Sequence, residues 1–253
     1  MSHHVIRVAA AAVGLLAQVA IASAAEIKLY STVAFRSVLD ELAPQFQKST
    51  DNKLTITYGL AAQLAQRIGS GEAADVALLT RAGIDALAKS GKITPKSDAT
   101  LASTGMALAA KAGAPKPDIS TPEAFKRALL AAKSIATGDP ASGGASSVYF
   151  SKLLGQMGIS EQVKGKMKFA PEGKLPADLV AAGDAEIGAM QTSELVPGTE
   201  LVGVFPGELN NVTTFAVGLT TNASDTNAAG ALIKFLESRE AAAVYKAKGM
   251  YPN

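Results

Sequence analysis

The stretch that decides the fold runs from Glu26 to Leu79 and reads EIKLYSTVAFRSVLDELAPQFQKSTDNKLTITYGLAAQLAQRIGSGEAADVALL. Three short runs rich in apolar and β-branched residues, at 27–30, 53–58 and 75–79, predict strands, of which the first is expected to be buried. Between these runs, apolar residues recur at helical spacing and predict one helix after each of the first two strands. Because strands separated by single helices pair in parallel with right-handed crossovers, the stretch predicts an α/β lobe built on a parallel sheet.

A second series of the same kind follows the turn-rich residues 112–117. Thr121 and Pro122 predict the start of a helix that reaches Ala132. The elements predicted after it are strands at 135–137, 166–170 and 186–190, a helix at 175–182, an apolar return strand at 212–219, and helices at 227–236 and 239–248. We therefore predict a signal peptide at 1–25, a first lobe at 26–108, a second lobe at 109–211, and a return to the first lobe at 212–253.

The N-terminus has the pattern of a secretory signal peptide. Arg7 precedes an apolar stretch at 8–21, which the small-residue motif Ala22-Ser23-Ala24 follows. The apolar stretch is shorter than the roughly 20 residues that a membrane-spanning helix needs. We therefore predict cleavage before Ala25 or Glu26 and a periplasmic protein.

Composition excludes several function classes. The chain has no Cys, and its 2 His residues, His3 and His4, lie in the predicted signal peptide. A Ser-His-Asp or Cys-His nucleophile and a conventional zinc site are therefore excluded, and proton chemistry is left to Asp, Glu, Lys or Tyr. With 24 basic and 22 acidic residues and no basic run, the chain also lacks the field that nucleic-acid binding requires. We predict no cofactor and no metal.

Five turns that follow predicted strands are candidates for a binding site. In open parallel sheets, ligands bind beyond the carboxyl ends of strands, where helix N-termini offer unpaired N–H groups. These turns carry small or hydroxyl residues, and they lie at 31–35, 59–62, 143–147, 173–174 and 191–193. The pair Gly143-Gly144 before Ser146 and Ser147 is typical of an anion-accepting nest. The same turns need Ser, Thr or Gly to cap helices, so the capping role stays open for each.

Several charged residues have two interpretations at this point. Arg36 follows a candidate turn and could hold a carboxylate with its guanidinium, or lie in solvent. Arg67 is expected on a solvated helix face. For Asp75 we expect hydrogen bonds to backbone, and for Asp139, which precedes Pro140, a turn.

The residues also resemble a known family, the periplasmic molybdate-binding proteins of ABC transporters. The resemblance rests on Ile27 to Tyr30 with the helix behind it, on LAQRIGSGEAAD at 64–75, on Gly138-Asp139-Pro140, and on the closing helix at 237–249. It implies the type 2 periplasmic binding protein fold, an α/β fold with two lobes, each a mostly parallel sheet flanked by helices. It also implies a small anionic solute, an ABC-type membrane permease as partner, and a monomer.

The chain departs from the family pattern at the residues expected to bind the ligand. Oxyanion-binding members place a Ser after each of the first two strands, where this chain has Ala34 and Leu60-Ala61, and often a Tyr where this chain has Gln191. A buried tetrahedral oxyanion needs every oxygen paired. We therefore expect an organic carboxylate, such as a tricarboxylate, rather than molybdate.

The loop GDPASGG at 138–144 also resembles a branch that contains aconitate isomerase, an exported enzyme with this fold. That resemblance implies an alternative function, a proton shift that interconverts cis- and trans-aconitate and needs only an anion clamp and one acid or base. The candidate proton carriers are Glu194, Glu208 and Lys174. The catalytic residue stays open.

We predict a receptor that closes over the anion with residues from both lobes. The first lobe contributes Thr32, Ala34, Arg36 and Ala61. The second lobe contributes Ser146, Ser147, Gly173 and Gln191.

Overall fold

A computed structural model describes residues 24–171 and 173–253. The predicted signal peptide lies outside the described residues except for Ala24 and Ala25. Within the described ranges, every helix is too short or too polar to cross a membrane.

The strands alternate with helices along most of the chain. In chain order they are β1 (Glu26–Thr32), β2 (Lys53–Gly59), β3 (Val76–Thr80), β4 (Ala99–Thr104), β5 (Met106–Lys111), β6 (Ile135–Gly138), β7 (Met167–Ala170), β8 (Ile187–Gln191), β9 (Thr199–Val204), β10 (Thr213–Leu219) and β11 (Tyr251–Pro252).

The helices connect these strands or close the chain. They are α1 (Arg36–Thr50), α2 (Ala61–Gly69), α3 (Arg81–Lys89), α4 (Pro122–Ala131), α5 (Ala145–Gln156), α6 (Ser160–Lys164), α7 (Pro176–Ala182), α8 (Thr226–Leu236) and α9 (Arg239–Ala247). Short 3-10 turns follow β1 at Val33–Phe35, β6 at Pro140–Ser142 and β8 at Thr192–Glu194.

The strands form two separate sheets, which confirms the predicted two-lobed α/β architecture. The first sheet has the order β11-β4-β10-β3-β1-β2, and the second has the order β7-β6-β8-β5-β9. The chain thus leaves the first sheet after β4, completes the second, and returns with β10. Strand β5, which spans the predicted boundary at 108/109, pairs with β8 and β9 of the second sheet.

Each sheet is mixed, with most strands running in one direction. In the first, β1 pairs in parallel with both β2 and β3, while β10 and β11 run opposite to the other strands. In the second, β6 pairs in parallel with β7 and β8, and β5 runs opposite to its neighbours. The carboxyl ends of β1 and β2, and of β6, β7 and β8, therefore each lie at one edge of a sheet, where ligands of such folds bind.

The core of the first lobe forms where α1 packs on the sheet. Its buried apolar residues Val38, Leu39, Leu42 and Phe46 recur at helical spacing. Phe35, just before α1, is fully buried, with its ring centroid 5.3 Å from that of Phe215 and 5.6 Å from that of Tyr245. These edge-on aromatic contacts fix the start of α1 relative to the return strand and the C-terminal helix.

Asp75 confirms the expectation that it binds backbone. Its side chain is buried, and its two carboxylate oxygens accept the N–H of Lys28 at 2.7 Å and the N–H of Ser224 at 2.7 Å. The carboxylate thus ties β1 to the segment that precedes α8. Its role is structural, because both oxygens are occupied by the chain itself.

Candidate functional site

A cleft of about 440 Å³ lies between the two lobes. Residues at and after the carboxyl ends of β1 and β2 line one side of it, and residues after β6, β7 and β8 line the other. Pockets of this size hold small organic ligands. The topology therefore builds the cleft from the edges at which both sheets present turns and helix N-termini.

Arg36 is the charged residue that reaches across the cleft. It is the first residue of α1, and its guanidinium carbon lies 5.0 Å from the centroid of the Tyr58 ring. One guanidinium nitrogen donates a hydrogen bond to the carbonyl oxygen of Gly173 in the second lobe at 3.2 Å. The remaining N–H groups have no carboxylate of the described residues within salt-bridge distance, and they are available to an anion.

Tyr58, beneath this guanidinium, has a buried hydroxyl with no hydrogen-bond partner among the described residues. Burial raises the pKa of Tyr58 to about 12, with a further contribution from the negative charge of Asp40. The phenol is therefore neutral at physiological pH and supplies a hydrogen-bond donor beside Arg36.

Arg67 also lines the cleft, but its charge is already compensated. Its Nε donates to Glu72 at 2.7 Å, and its guanidinium stacks 4.9 Å from the centroid of the Tyr30 ring. The hydrogen bonds from Arg67 and from Tyr30 lower the pKa of Glu72 to about 2. Both members of the pair are thus charged at physiological pH. Arg67 was expected on a solvated helix face, but its guanidinium is bound by Glu72 and Tyr30 and is less available to a ligand.

The second-lobe wall is built by the turn 138–147. The carboxylate of Asp139 accepts the N–H of Ala141 at 2.9 Å, which confirms its expected role in a turn. Gly143 has a φ of +78°, in the left-handed region that favours glycine. The hydroxyl of Ser147 donates to the carbonyl of Gly144 at 2.9 Å, so it braces the start of α5. Ser146 and Gly144 face the cleft beside it.

Glu194 is a buried carboxyl on the wall of the same cleft. Glu194 is only 6 % exposed, and it is the last residue of the 3-10 turn that follows β8. One carboxylate oxygen accepts the N–H of Gln191 at 3.0 Å. Burial raises the pKa of Glu194 to about 7, and this hydrogen bond opposes the rise only in part. The group can therefore both accept and release a proton near neutral pH.

Residues 27–251 match the family model described as bacterial extracellular solute-binding protein. The chain belongs to this family.

Relatives of this solute-binding protein include an aconitate isomerase from Pseudomonas sp, 33% identical over 234 residues that cover 89% of this chain and 87% of the relative. The molybdate-binding protein ModA of Azotobacter vinelandii is 28% identical over 250 residues, which cover 96% of this chain and 95% of the relative. The solved structure of the periplasmic molybdate-binding protein from Azotobacter vinelandii superposes with a TM-score of 0.73 at 19% identity, covering 88% of this chain and 98% of that one. These findings confirm the predicted family resemblance and the type 2 periplasmic binding protein fold.

The structure places the predicted site residues of the solute-binding protein in two groups. Arg36, Ser146, Ser147 and Gly173 line the cleft. The others lie outside its lining, namely Thr32, Ala34, Ala61 and Gln191.

Each residue of the second group has a structural reason for its place. Ala34 is buried in the apolar core of the first lobe, and Ala61 packs against the neighbouring apolar cluster around Leu64. Thr32 is buried at the end of β1. Gln191 is buried, and its amide nitrogen donates to the hydroxyl of Thr213 at 3.3 Å.

Tyr58 is not among the site residues predicted from the sequence. Tyr58 is the penultimate residue of β2 and directly precedes a turn that we did select. The rule that ligands bind at the ends of strands therefore pointed to this region. Tyr58 was missed because only residues after the end of the strand were selected as site residues.

Proposed function

We propose that this solute-binding protein closes its two lobes over a small polycarboxylate in the periplasm. The observation that carries the proposal is the set of cations facing the cleft. Arg36 and Lys174 line it from opposite lobes, whereas Arg67 is compensated by Glu72. Two cations held on opposed walls suit a ligand with carboxylates at both ends.

The hydroxyl groups at the cleft favour a carboxylate over a tetrahedral oxyanion. The hydroxyl of Ser147 is occupied by the carbonyl of Gly144, and the described first-lobe residues that line the cleft include no Ser or Thr. A desolvated oxyanion needs a donor for each of its four oxygens, and on the first-lobe side the lining offers no hydroxyl other than the buried phenol of Tyr58. A guanidinium binds the flat, two-oxygen face of a carboxylate directly.

A receptor of this kind acts with an ABC-type permease, to which the closed protein delivers its ligand, and it works as a monomer. Both statements belong to the proposal. Support for them comes from the family match and from the cleft, since closure over a ligand requires only one chain with two lobes.

Titration calorimetry tests the proposed ligand. Citrate, cis-aconitate and trans-aconitate are expected to bind at least about tenfold more tightly than sulfate or molybdate, because each carboxylate held by a charged donor contributes about 1.5–3 kcal/mol. Tight binding of molybdate with no binding of the three carboxylates would contradict the proposal.

A second function is favoured by the relative from Pseudomonas sp, an aconitate isomerase that aligns with 89% of this chain. An allylic proton shift in aconitate needs an anion clamp and one acid or base. The cleft offers both, since Glu194 and Arg36 line it from opposite lobes. Incubation of the purified protein with cis-aconitate is expected to produce the trans isomer, observed by the shift of its vinylic proton in NMR. Absence of conversion at high protein concentration leaves the receptor function alone.

A further inference from the structure

Three carboxyl groups and one lysine of the described chain are candidates for proton transfer at the cleft. Glu208, which the sequence analysis kept as an alternative, is exposed and lies outside the cleft lining. Lys174 and Asp139 do line it, but Lys174 is exposed and Asp139 accepts the N–H of Ala141 in its turn. Only Glu194 combines a place on the cleft with a buried carboxyl group.

The surroundings of Glu194 hold it in a fixed position. The N–H of Gln191 binds one carboxylate oxygen at 3.0 Å, and Gln191 is itself fixed by its pairing with Met106 in the sheet. The hydroxyl of Ser37 donates to the carbonyl of Ser193 at 3.1 Å and so ties the turn to α1. Because Arg36 and Ser37 are neighbours, as are Ser193 and Glu194, this bond holds the backbone that carries the carboxyl group against the backbone that carries the guanidinium.

The charges that face the cleft together with Glu194 come from every wall. They belong to Arg36, Arg67, Asp139 and Lys174, and the neutral phenol of Tyr58 is the other titratable group of the lining. None of the described Lys or Arg side chains forms a salt bridge with Glu194, so the carboxyl group is not locked in its ionised form. A buried carboxyl group of this kind has a proton affinity suited to acid–base work.

We propose that Glu194 carries the proton in the isomerisation of an allylic tricarboxylate, acting first as base and then as acid, with Arg36 holding a substrate carboxylate. The inference rests on the isomerase function proposed above. In the first step the Glu194 carboxylate removes a proton from the methylene carbon of aconitate, and the electrons of that C–H bond form a new C=C bond to the central carbon. The electrons of the old C=C bond move to the former vinylic carbon.

In the second step the carboxylic acid of Glu194 returns the proton to the former vinylic carbon. The double bond has moved by one position, no atom is gained or lost, and no co-reactant is required. The bond between the methylene and central carbons, which becomes the new double bond, can rotate while it is single. The conformation in which the cleft holds it therefore sets the cis or trans geometry of the product. Negative charge that develops during the shift spreads into the substrate carboxylates, which a guanidinium stabilises.

The proposal fixes the sign of the pH dependence. Removal of the methylene proton requires the ionised form of Glu194, and burial raises the pKa of this group to about 7. The value of kcat/KM for isomerisation is therefore expected to rise between about pH 6 and pH 8 and to level off above that range.

The decisive variant is Glu194→Gln, whose amide oxygen still accepts the N–H of Gln191. We expect kcat to fall by about 10²–10⁴-fold, with the calorimetric affinity for aconitate retained within about threefold. Glu194→Asp keeps a carboxylate and is expected to retain part of the activity together with the rise of the rate with pH. Glu208→Gln, which changes an exposed carboxyl group outside the cleft, is the matched control and is expected to isomerise at the native rate.

Exchange in D₂O adds a readout that a purely structural role would not change. Because the carboxylic acid of Glu194 can exchange its proton with D₂O between the two steps, the native protein is expected to place deuterium at the methylene and vinylic carbons of aconitate, and Glu194→Gln is expected to leave these positions protiated. Native-like isomerisation by a folded Glu194→Gln protein would overturn the inference. If the native protein binds aconitate without isomerising it, the inference fails and the receptor proposal stands. If it binds no polycarboxylate at all, both fail.

Discussion

A chain with glutamine in place of Arg36 is expected to bind its polycarboxylate about tenfold to a hundredfold more weakly than the native protein. Hydrogen bonds to charged groups contribute about 1.5–3 kcal/mol, and glutamine removes the charge while keeping a shorter polar side chain. The substitution also removes the bond from the guanidinium to the carbonyl of Gly173, which joins the two lobes at 3.2 Å. Both effects act in the same direction, because the ligand and this bond favour the closed form. Titration calorimetry with citrate and aconitate measures the loss.

Arg67→Gln is the matched control, since Arg67 lines the same cleft. Its guanidinium is bound by Glu72 and stacked on Tyr30, so we expect a change in affinity of at most about fivefold, the range for an exposed ion pair. Equal losses in the two variants would show that only the overall charge of the cleft matters. Such a result would contradict a direct contact between Arg36 and the ligand.

The fold could be predicted because each strand and each helix has its own pattern of apolar residues within a short stretch of sequence. Strands β1, β2 and β3 and the helices between them all appear where apolar periodicity placed them, with β1 and β3 buried and β2 at the edge of the sheet. Strand β4, with the sequence ATLAST, was not predicted, since its alternation is weak and its place depends on the return strand β10 beside it. A pairing between residues that lie more than a hundred positions apart cannot be read from a local pattern.

The candidate site was predicted less completely than the fold, for a related reason. Four of the five turns that the rule of strand ends selected contain residues that line the cleft, yet the rule could not show which residue of a turn faces it. Ala34 therefore entered the predicted site although it packs into the core, while Tyr58 one strand away was left out. The burial of Glu194 depends on how the second lobe meets α1, and nothing in the sequence around it distinguishes it from an exposed glutamate such as Glu208.

Replacing Phe35 by alanine is expected to lower the free energy of unfolding by about 3–5 kcal/mol, the usual cost of deleting a fully buried aromatic ring. The ring has no exposed surface and contacts Phe215 and Tyr245 edge-on, with centroids 5.3 Å and 5.6 Å away. Its removal leaves a cavity among β10, α9 and the start of α1. These packed elements cannot close the cavity by a small movement. Urea denaturation followed by circular dichroism measures the change as a lower midpoint at an unchanged slope.

Tyr251→Ala provides the control, because that ring is 54% exposed and its loss is expected to cost no more than about 0.5 kcal/mol.

Phe35 also positions Arg36, its neighbour in the chain, so the Phe35→Ala protein is expected to bind polycarboxylates more weakly even where it is fully folded. A loss of stability below about 1 kcal/mol would contradict the first expectation, since it would require the core of the first lobe to close over the missing ring. Native affinity in the folded variant would contradict the second, because it would show that α1 keeps its start, and the guanidinium its place, without the aromatic contacts that join it to β10 and α9.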